Sequence, residues 1–155
     1  MNKTRFVYTV YIATTPEQVW KALVQGDVTR QYWEHENISD WKPGSTWEHR
    51  TADASRELKL VGRVIESSPP RRLVITWAAP ADAARPERHT RVTFEVEPIE
   101  DMVQLTVTHD EIDEGSETYR QISEGWPRVL SSMKSFLETG RPLRTWAKAR
   151  AKAGA

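Results

Sequence analysis

Apolar and polar side chains alternate along several short segments of the chain. In residues 4–12 every second position from Phe6 onward is aromatic or aliphatic, and the positions between them form a second, mixed face. Successive side chains of a strand point to opposite faces of a sheet, so this alternation predicts a first β-strand. Similar segments predict strands at residues 46–51, 57–67, 72–78, 88–97 and 102–109, and a weaker strand at residues 38–41. Turns separate these strands, with a longer flexible loop expected at residues 79–87, and the lack of helices between them favours antiparallel pairing.

Two short helices are predicted directly after the first strand. Thr15 is the expected N-cap of the first helix and Pro16 its first helical residue, because a threonine hydroxyl accepts a free backbone N–H and proline has none to lose. Gly26 is expected to end this helix. Asp27 is then expected to cap a second helix over residues 28–33.

A long C-terminal helix follows the last strand. After residue 115 the spacing of apolar positions changes from two to about 3.6 residues, the period of an α-helix. Ser116 is the expected N-cap and Gly140 the expected stop, which bounds a helix of about 24 residues with one apolar stripe. Pro127 lies inside it and is expected to kink it near Ser123, since proline provides no backbone N–H.

These elements predict one architecture. The long helix has one apolar stripe and the sheet has one apolar face, so each can bury the other. The expected fold class is therefore α+β, with a curved antiparallel sheet of about six to seven strands wrapped around the C-terminal helix and two short helices after the first strand.

The composition is that of an ordinary globular chain. It has 155 residues, of which 38% are hydrophobic and 28% charged, and this length fits one domain, predicted at residues 1–140. The 22 basic and 22 acidic residues cancel, so the overall charge does not favour nucleic acid or an anionic membrane as a partner. The basic, alanine-rich tail at residues 141–155 is predicted to be a solvated helical extension.

The sequence lacks cysteine, and it lacks the patterns of a signal peptide or a membrane-spanning segment. Cysteine does not occur in the sequence, which excludes disulfides, thiolate catalysis and cysteine-based metal sites. No signal-peptide pattern and no apolar segment long enough to cross a bilayer is found, and the expectation is a cytoplasmic protein.

Ordered blocks of sequence between Val19 and Gly140 carry a family resemblance. They are Val19–Leu23, Gln31–Trp33, Trp41–Gly44, Gly62–Glu66, Pro69–Leu73, Thr76–Trp77, Arg91–Phe94, Leu105–His109, Gly125–Pro127, Leu130 and Leu137–Gly140. Together they resemble the bacterial homologues of the heat-shock-protein-90 ATPase activator family, within the START-like (SRPBCC) superfamily of helix-grip folds. The sequence departs from the family pattern at Tyr32, where the family has a first tryptophan, and at residues 110–113, an acidic segment expected to be a solvated loop. The resemblance implies a deep, partly apolar cavity between the sheet and the long helix, and implies no particular reaction.

Large aromatic side chains are the candidate binding residues, since the chain contains seven tryptophans. The alternation and the helix spacing place several of them toward the interior, where they either fill the core or stack on a flat ligand. The candidates for the cavity wall are Trp33, Trp41, Trp47, His49, Trp77, Phe94, His109, Tyr119, Trp126 and Met133. For His49 and His109 the structural alternative is a hydrogen-bonded histidine in a strand.

No catalytic residue, metal site or cofactor site is predicted. The four histidines have no metal-ligand spacing, and no glycine-rich phosphate loop or convincing nucleophile triad is found. The leading hypothesis is binding of a small, largely apolar or aromatic ligand by a carrier or sensor, as a monomer or a homodimer. The alternatives are a protein-interaction module such as a chaperone ATPase regulator, and a cyclase- or hydrolase-type enzyme that uses His49, His109 or a buried acid.

Overall fold

The computed structural model describes residues 2–143, and within them the chain forms seven strands and three α-helices. The elements in chain order are β1 Lys3–Ile12, α1 Pro16–Val24, α2 Gly26–Trp33, β2 His35–Ile38, β3 Thr46–Thr51, β4 Leu58–Ser68, β5 Arg72–Trp77, β6 Thr90–Ile99, β7 Met102–Asp113 and α3 Glu117–Thr139. Two short 3₁₀ turns, Pro80–Asp82 and Pro86–Arg88, lie between β5 and β6. The order and the element types confirm the predicted α+β architecture.

All seven strands belong to one antiparallel sheet. Their spatial order is β1-β7-β6-β5-β4-β3-β2, so β2 to β7 pair with their neighbours in sequence and β1 adds to the far side of β7. The two short helices carry the chain from β1 at one edge to β2 at the other. α3 then packs against the sheet and against both short helices.

The core lies between the inner face of the sheet and the apolar stripe of α3. On the sheet, Val92, Leu105 and Val107 are fully buried. On α3, Leu130 is fully buried and Met133 is 1% exposed. Burial of a side chain of this size stabilises the fold by about 1.5–3 kcal/mol relative to leaving it in water, so this contact holds the two layers together.

The predicted ends of two helices are confirmed. The Thr15 hydroxyl accepts a hydrogen bond from the Gln18 backbone N–H at 3.3 Å, and the Ser116 hydroxyl accepts one from the Tyr119 N–H at 3.2 Å. Gly140 ends α3 with a φ of 78°, in the left-handed region that glycine adopts without strain. α3 continues as one helix through Pro127, and the kink remains a prediction.

The junction between the short helices differs from the prediction. Gln25 is both the C-cap of α1 and the N-cap of α2, so this single residue separates the helices. Gly26 therefore begins α2 instead of following α1, and Asp27 lies in the first turn of α2 and is not its cap. A negatively charged residue in a first turn still favours the helix through the macrodipole.

Two strand assignments also need correction. The weak strand predicted at residues 38–41 is β2, at His35–Ile38. Trp41 has a φ of 57°, a left-handed conformation that a strand does not tolerate. The loop predicted at residues 79–87 contains the two 3₁₀ turns, and His89 Nε2 donates to the Asp82 carbonyl at 3.0 Å, which ties this loop to the start of β6.

The acidic segment after His109 is a continuation of β7 and not a loop. Its strand pairing runs to Asp113, opposite Lys3 of β1, and Lys3 Nζ lies 2.8 Å from the Asp113 carboxylate. On the other side Arg91 of β6 forms two hydrogen bonds to Asp110. These cations neutralise part of the acidic charge, which allows the strand to continue, and Glu111 forms a bulge with a φ of 60°.

Most of the predicted basic tail lies outside the described residues, so its role stays a prediction. None of the helices at residues 2–143 is long and apolar enough to cross a membrane.

Candidate functional site

A cavity of about 440 Å³ separates the inner face of β3–β5 from the N-terminal half of α3. Side chains from α2, the start of β2 and the 3₁₀ turns complete its wall. The lining residues are Trp33, His35, His49, Lys59, Leu60, Trp77, Ala78, Ala79, Asp82, Arg88, Thr90, Thr118, Gln121, Ile122, Gly125, Trp126 and Val129. Pockets for small organic ligands measure about 300–1,000 Å³ and have mainly apolar walls, so the volume is that of a small-molecule site.

Three tryptophan rings form the apolar part of the wall. Trp33 ends α2, Trp77 ends β5, and Trp126 lies midway along α3. The Trp33 ring centroid lies 6.4 Å from that of Trp77 and 5.6 Å from that of Trp126, and the Trp77 and Trp126 centroids are 5.4 Å apart. These spacings are within the range of attractive aromatic contact, so the rings support one another as well as the cavity.

A buried hydrogen-bond chain fixes the position of Trp126. The Trp126 indole N–H donates to His109 Nδ1 at 3.0 Å, which makes Nδ1 an acceptor and places the His109 proton on Nε2. Nε2 then donates to the Thr90 hydroxyl at 2.8 Å, and Thr90 donates to the Trp77 carbonyl at 3.1 Å. Every polar atom in this chain has a partner.

His109 is therefore a structural residue that supports the wall from behind. Its side chain is completely buried, and this burial lowers its pKa to about 4, against a smaller opposing effect of the Asp110 charge. A neutral imidazole with both nitrogens bonded has no lone pair or proton to offer a ligand. The enzyme hypothesis loses one of its two named histidines for this reason.

Two other histidines, His35 and His49, line the cavity. The His35 and His49 rings stack in parallel, 4.5 Å between centroids and 6° between planes. His35 Nδ1 lies 2.9 Å from the Trp33 carbonyl oxygen, and His49 Nδ1 lies 2.5 Å from Asn37 Oδ1. In each ring Nδ1 is the donor, because a carbonyl or amide oxygen only accepts. Each Nε2 is left without a partner among the described residues.

Burial keeps His49 neutral. Its exposed fraction is 4%, and desolvation lowers the pKa of its imidazole well below the ordinary value, with a further contribution from the neighbouring His35. The Trp33 ring meets His49 nearly edge-on, 4.9 Å between centroids. The polar part of the cavity wall thus lies directly beside its aromatic part.

The charged lining residues lie at the mouth of the cavity. Lys59 and Arg88 are exposed and Asp82 is half-buried. Lys59 forms an ion pair with Glu57 at 3.1 Å, and Arg88 approaches Asp82 at 3.9 Å. Each of these cations therefore already has an acidic neighbour, and among residues 2–143 the buried wall carries no acidic or basic side chain besides the histidines. The interior is electrically close to neutral.

Gly125 leaves part of the volume open. It lies inside α3 and lines the cavity, and a Cβ atom built on it would meet no atom within 4 Å apart from its chain neighbours and the adjacent helix backbone. Glycine in the middle of a helix costs about 0.5–1 kcal/mol relative to alanine. The helix gives up this stability at a position where a side chain would enter open space.

Residues 13–138 match the family model described as "Activator of Hsp90 ATPase homolog 1-like protein". The chain belongs to this family. The match covers the two short helices, most of the sheet and nearly all of α3, and confirms the resemblance seen in the sequence. No curated protein matches the sequence.

Solved structures show that this family member has the helix-grip fold. The Aha1 dimer from Colwellia psychrerythraea is 22% identical, with a TM-score of 0.74, over 88% of this chain and 98% of that one. CalU16 from Micromonospora echinospora is 18% identical, with a TM-score of 0.70, over 97% and 83% of the two chains. Protein SSP2350 from Staphylococcus saprophyticus is 20% identical, with a TM-score of 0.73, over 91% and 96%. At these identities the likeness concerns the fold.

Four of the ten candidate residues lie on the cavity wall, namely Trp33, His49, Trp77 and Trp126. Three others form the layer behind them: Phe94 packs edge-on against Trp126 at 5.8 Å, His109 bonds to Trp126, and Met133 is buried further along α3. Tyr119 instead packs against Phe6 of β1, 6.5 Å between centroids.

Trp47 and Trp41 lie on the far side of the polar wall. Trp47 is 1% exposed and donates its indole N–H to the Thr76 carbonyl at 2.7 Å, so it passes over Gly62 of the intervening strand. Trp41 stacks on Trp47 at 6.4 Å. Trp41 Nε1 is buried and has no hydrogen-bond partner among residues 2–143. Both rings support the site from outside the cavity.

The sequence interpretation missed His35 and the small residues of α3. The prediction places β2 at residues 38–41, three residues too late, so it leaves His35 outside the sheet and gives it no place at the cavity. With β2 at His35–Ile38, Asn37 lies opposite His49 in the ladder, and alternation places His35 on the same face. Gly125 was read only as part of a family motif. Among the described residues no group of three or more acidic, histidine or cysteine side chains is arranged to hold a metal ion.

Proposed function

We propose that this protein binds a small, flat, largely apolar ligand in the cavity between the sheet and α3, as a carrier or a sensor. The observation that supports this most directly is the arrangement of Trp33, Trp77 and Trp126 around an open volume of about 440 Å³. Aromatic rings present large surfaces with little conformational freedom, so they bind flat molecules at a small entropic cost.

The electrostatics of the wall support an uncharged ligand. The cations at the mouth have acidic neighbours, and His49 is held neutral by burial. A charged ligand would lose its hydration in this cavity without gaining an opposite charge, which is unfavourable. An apolar ring loses little by the same transfer and gains about 25 cal/mol for each Å² buried.

The first experiment is native mass spectrometry of the freshly purified protein, with denaturing extraction of any bound molecule. A co-purifying aromatic or lipid-like compound supports the proposal and names its chemical class. If the protein is empty, a thermal-shift screen of aromatic compounds follows. A ligand present at a hundred times its dissociation constant adds about 2.7 kcal/mol to the free energy of unfolding, which a melting curve resolves.

A variant that fills the cavity provides the control. Gly125→Leu places a side chain in the open volume, and it is expected to abolish the thermal shift while the protein stays folded. Arg128→Leu is the matched control, because it adds the same side chain to an exposed position of α3 that does not line the cavity. Equal shifts in the wild type and in both variants would show that the compound binds elsewhere, and the proposal would be withdrawn.

Contact with another protein is the second candidate function. Family membership and the dimeric relative from Colwellia support it, as do Val7 and Tyr11, which are each 50% exposed on the outer face of β1. Sedimentation velocity over a range of concentrations tests self-association. A dimer in the wild type that Tyr11→Lys dissociates favours this role, and a monomer at all concentrations argues against a homodimer.

A further inference from the structure

The stacked histidines at the cavity wall have a defined polarity. Their Nδ1 atoms are fixed as donors by the Trp33 carbonyl and by Asn37 Oδ1. A neutral imidazole has one donor and one acceptor, so the remaining Nε2 atom of each ring carries a lone pair. The two rings stack with their planes 6° from parallel and their centroids 4.5 Å apart.

The two Nε2 atoms are open to the cavity. In the part of the chain that the structure describes, Trp41 Nε1 is the one buried side-chain nitrogen or oxygen without a hydrogen-bond partner. Neither histidine Nε2 has a hydrogen-bond partner among residues 2–143, so both atoms must be accessible. His49 is only 4% exposed and both rings line the cavity, so the accessible surface of His49 belongs to the cavity wall.

An apolar ligand alone would leave these acceptors unsatisfied. When a ligand expels water from a pocket, a polar group that loses its water and gains no partner costs about 1–3 kcal/mol. Sites with such groups discriminate strongly against analogues that lack the matching group. The aromatic wall and the two acceptors therefore constrain the ligand together.

We propose that His35 and His49 recognise a hydrogen-bond donor on the ligand, which is then an uncharged aromatic compound that carries a hydroxyl or N–H group. This inference rests on the proposed function and specifies it. The aromatic part stacks among Trp33, Trp77 and Trp126, and its donor points toward the histidine edge of the wall, where Trp33 and His49 are in contact at 4.9 Å.

Two probes that differ only in the donor test this assignment. They are 2-naphthol, which has a phenolic O–H, and 2-methoxynaphthalene, in which a methyl group replaces the proton. Isothermal titration calorimetry gives the affinity of each for the wild type. We expect 2-naphthol to bind roughly two- to tenfold more tightly, since a net hydrogen bond contributes about 0.5–1.5 kcal/mol.

Variants then locate the acceptor. His49→Asn keeps an N–H near the Nδ1 position, which preserves the bond to Asn37, and removes the cavity-facing nitrogen. His35→Asn does the same beside the Trp33 carbonyl. The preference for 2-naphthol, which is the ratio of the two affinities measured in the same protein, is expected to fall toward onefold in these variants.

The outcomes separate this inference from the function on which it rests. If both probes bind equally well to the wild type, and Gly125→Leu blocks both, the ligand cavity stands and the donor assignment is wrong. The assignment is also wrong if 2-naphthol keeps its preference in both histidine variants. If neither probe binds at millimolar concentration, the proposed function and the donor assignment both fail.

Discussion

The buried His109 predicts a loss of stability in mild acid. His109 is fully enclosed by the sheet and α3, and its Nδ1 accepts the Trp126 indole N–H. Protonation of Nδ1 would place two donors against each other in a fully buried site. Burial accordingly lowers the pKa of His109 from 6.5 to about 4 in the folded protein, while Asp110 raises it slightly.

The direction of the change in unfolding free energy depends on whether the folded or the unfolded chain binds the proton at the higher pH. In the unfolded chain a histidine has a pKa near 6.5, so between this value and about 4 the unfolded chain binds a proton that the folded protein does not. The contribution of His109 is fully present above the unfolded pKa and is lost as the pH falls toward the folded pKa. Integration over the two titrations gives a loss of about 2 kcal/mol between about pH 7.5 and pH 5.

Urea unfolding at these two pH values, followed by tryptophan fluorescence, measures the effect. His109→Gln is the reference variant, because one end of its amide can accept the Trp126 N–H while the other donates to Thr90, and it does not titrate. The buried His49 also favours unfolding in acid, and it is present in both proteins. The difference in unfolding free energy between them therefore isolates His109.

The wild type is expected to lose about 2 kcal/mol more than His109→Gln between about pH 7.5 and pH 5. A difference that stays constant with pH would refute the reasoning, since it would mean that His109 titrates equally in the folded and unfolded protein. A wild type that gains stability in acid relative to the variant would show that the folded protein favours the charged imidazole.

Three further substitutions test single contacts. Gly62→Ala should lower the free energy of unfolding in chemical denaturation by about 3 kcal/mol or more. The reason is that its Cβ would lie 1.9 Å from the Thr76 carbonyl oxygen and 2.4 Å from Trp47 Nε1. A cost below about 1 kcal/mol would mean that the strands separate easily there. Gly125→Ala should increase the free energy of unfolding by about 0.5–1 kcal/mol and so raise the melting temperature. A lower melting temperature would show that a side chain is not accommodated. Thr15→Ala should cost about 1 kcal/mol through loss of the N-cap, and an unchanged urea midpoint would contradict the role of that hydroxyl.

The sequence predicted those elements whose signals are local. The caps at Thr15 and Ser116 each depend on a hydroxyl and a backbone N–H three residues later. The alternation in β1 leaves Val7 and Tyr11 on the outer face, as its period requires. The architecture followed because a one-faced sheet and a one-striped helix have few ways to bury each other.

The misplaced elements depend on contacts with distant segments. Asp110 and Asp113 read as a loop because a run of acids is usually solvated, yet Arg91 and Lys3 lie opposite them in the folded sheet. β2 contains His35 and Asn37, which carry no strand signal of their own. Its position is fixed by pairing with β3, and such pairing is invisible in a short window of sequence.

The candidate site could be predicted only in part, because some inward-facing residues pack in the core and others line the cavity. Trp47 and His49 share a strand face, and alternation cannot distinguish them. Gly62 explains the difference, since the absence of a side chain there lets the Trp47 ring cross β4 and reach the Thr76 carbonyl. His49 has no such route and remains at the cavity.

The cavity wall contains two features that a chain selected for stability alone would not keep. Gly125 weakens the middle of α3 and leaves open space, where the Cβ of an alanine fits. Beside the aromatic wall, the Nε2 acceptors of His35 and His49 have no partner among the described residues, although the nearby His109 shows that this fold can satisfy a buried imidazole completely. Departures from local stability are expected at functional sites, where another requirement outweighs them. A purely structural wall gives no reason for both departures to border the same volume, whereas a ligand that fills the space at Gly125 and donates to the histidine pair accounts for both.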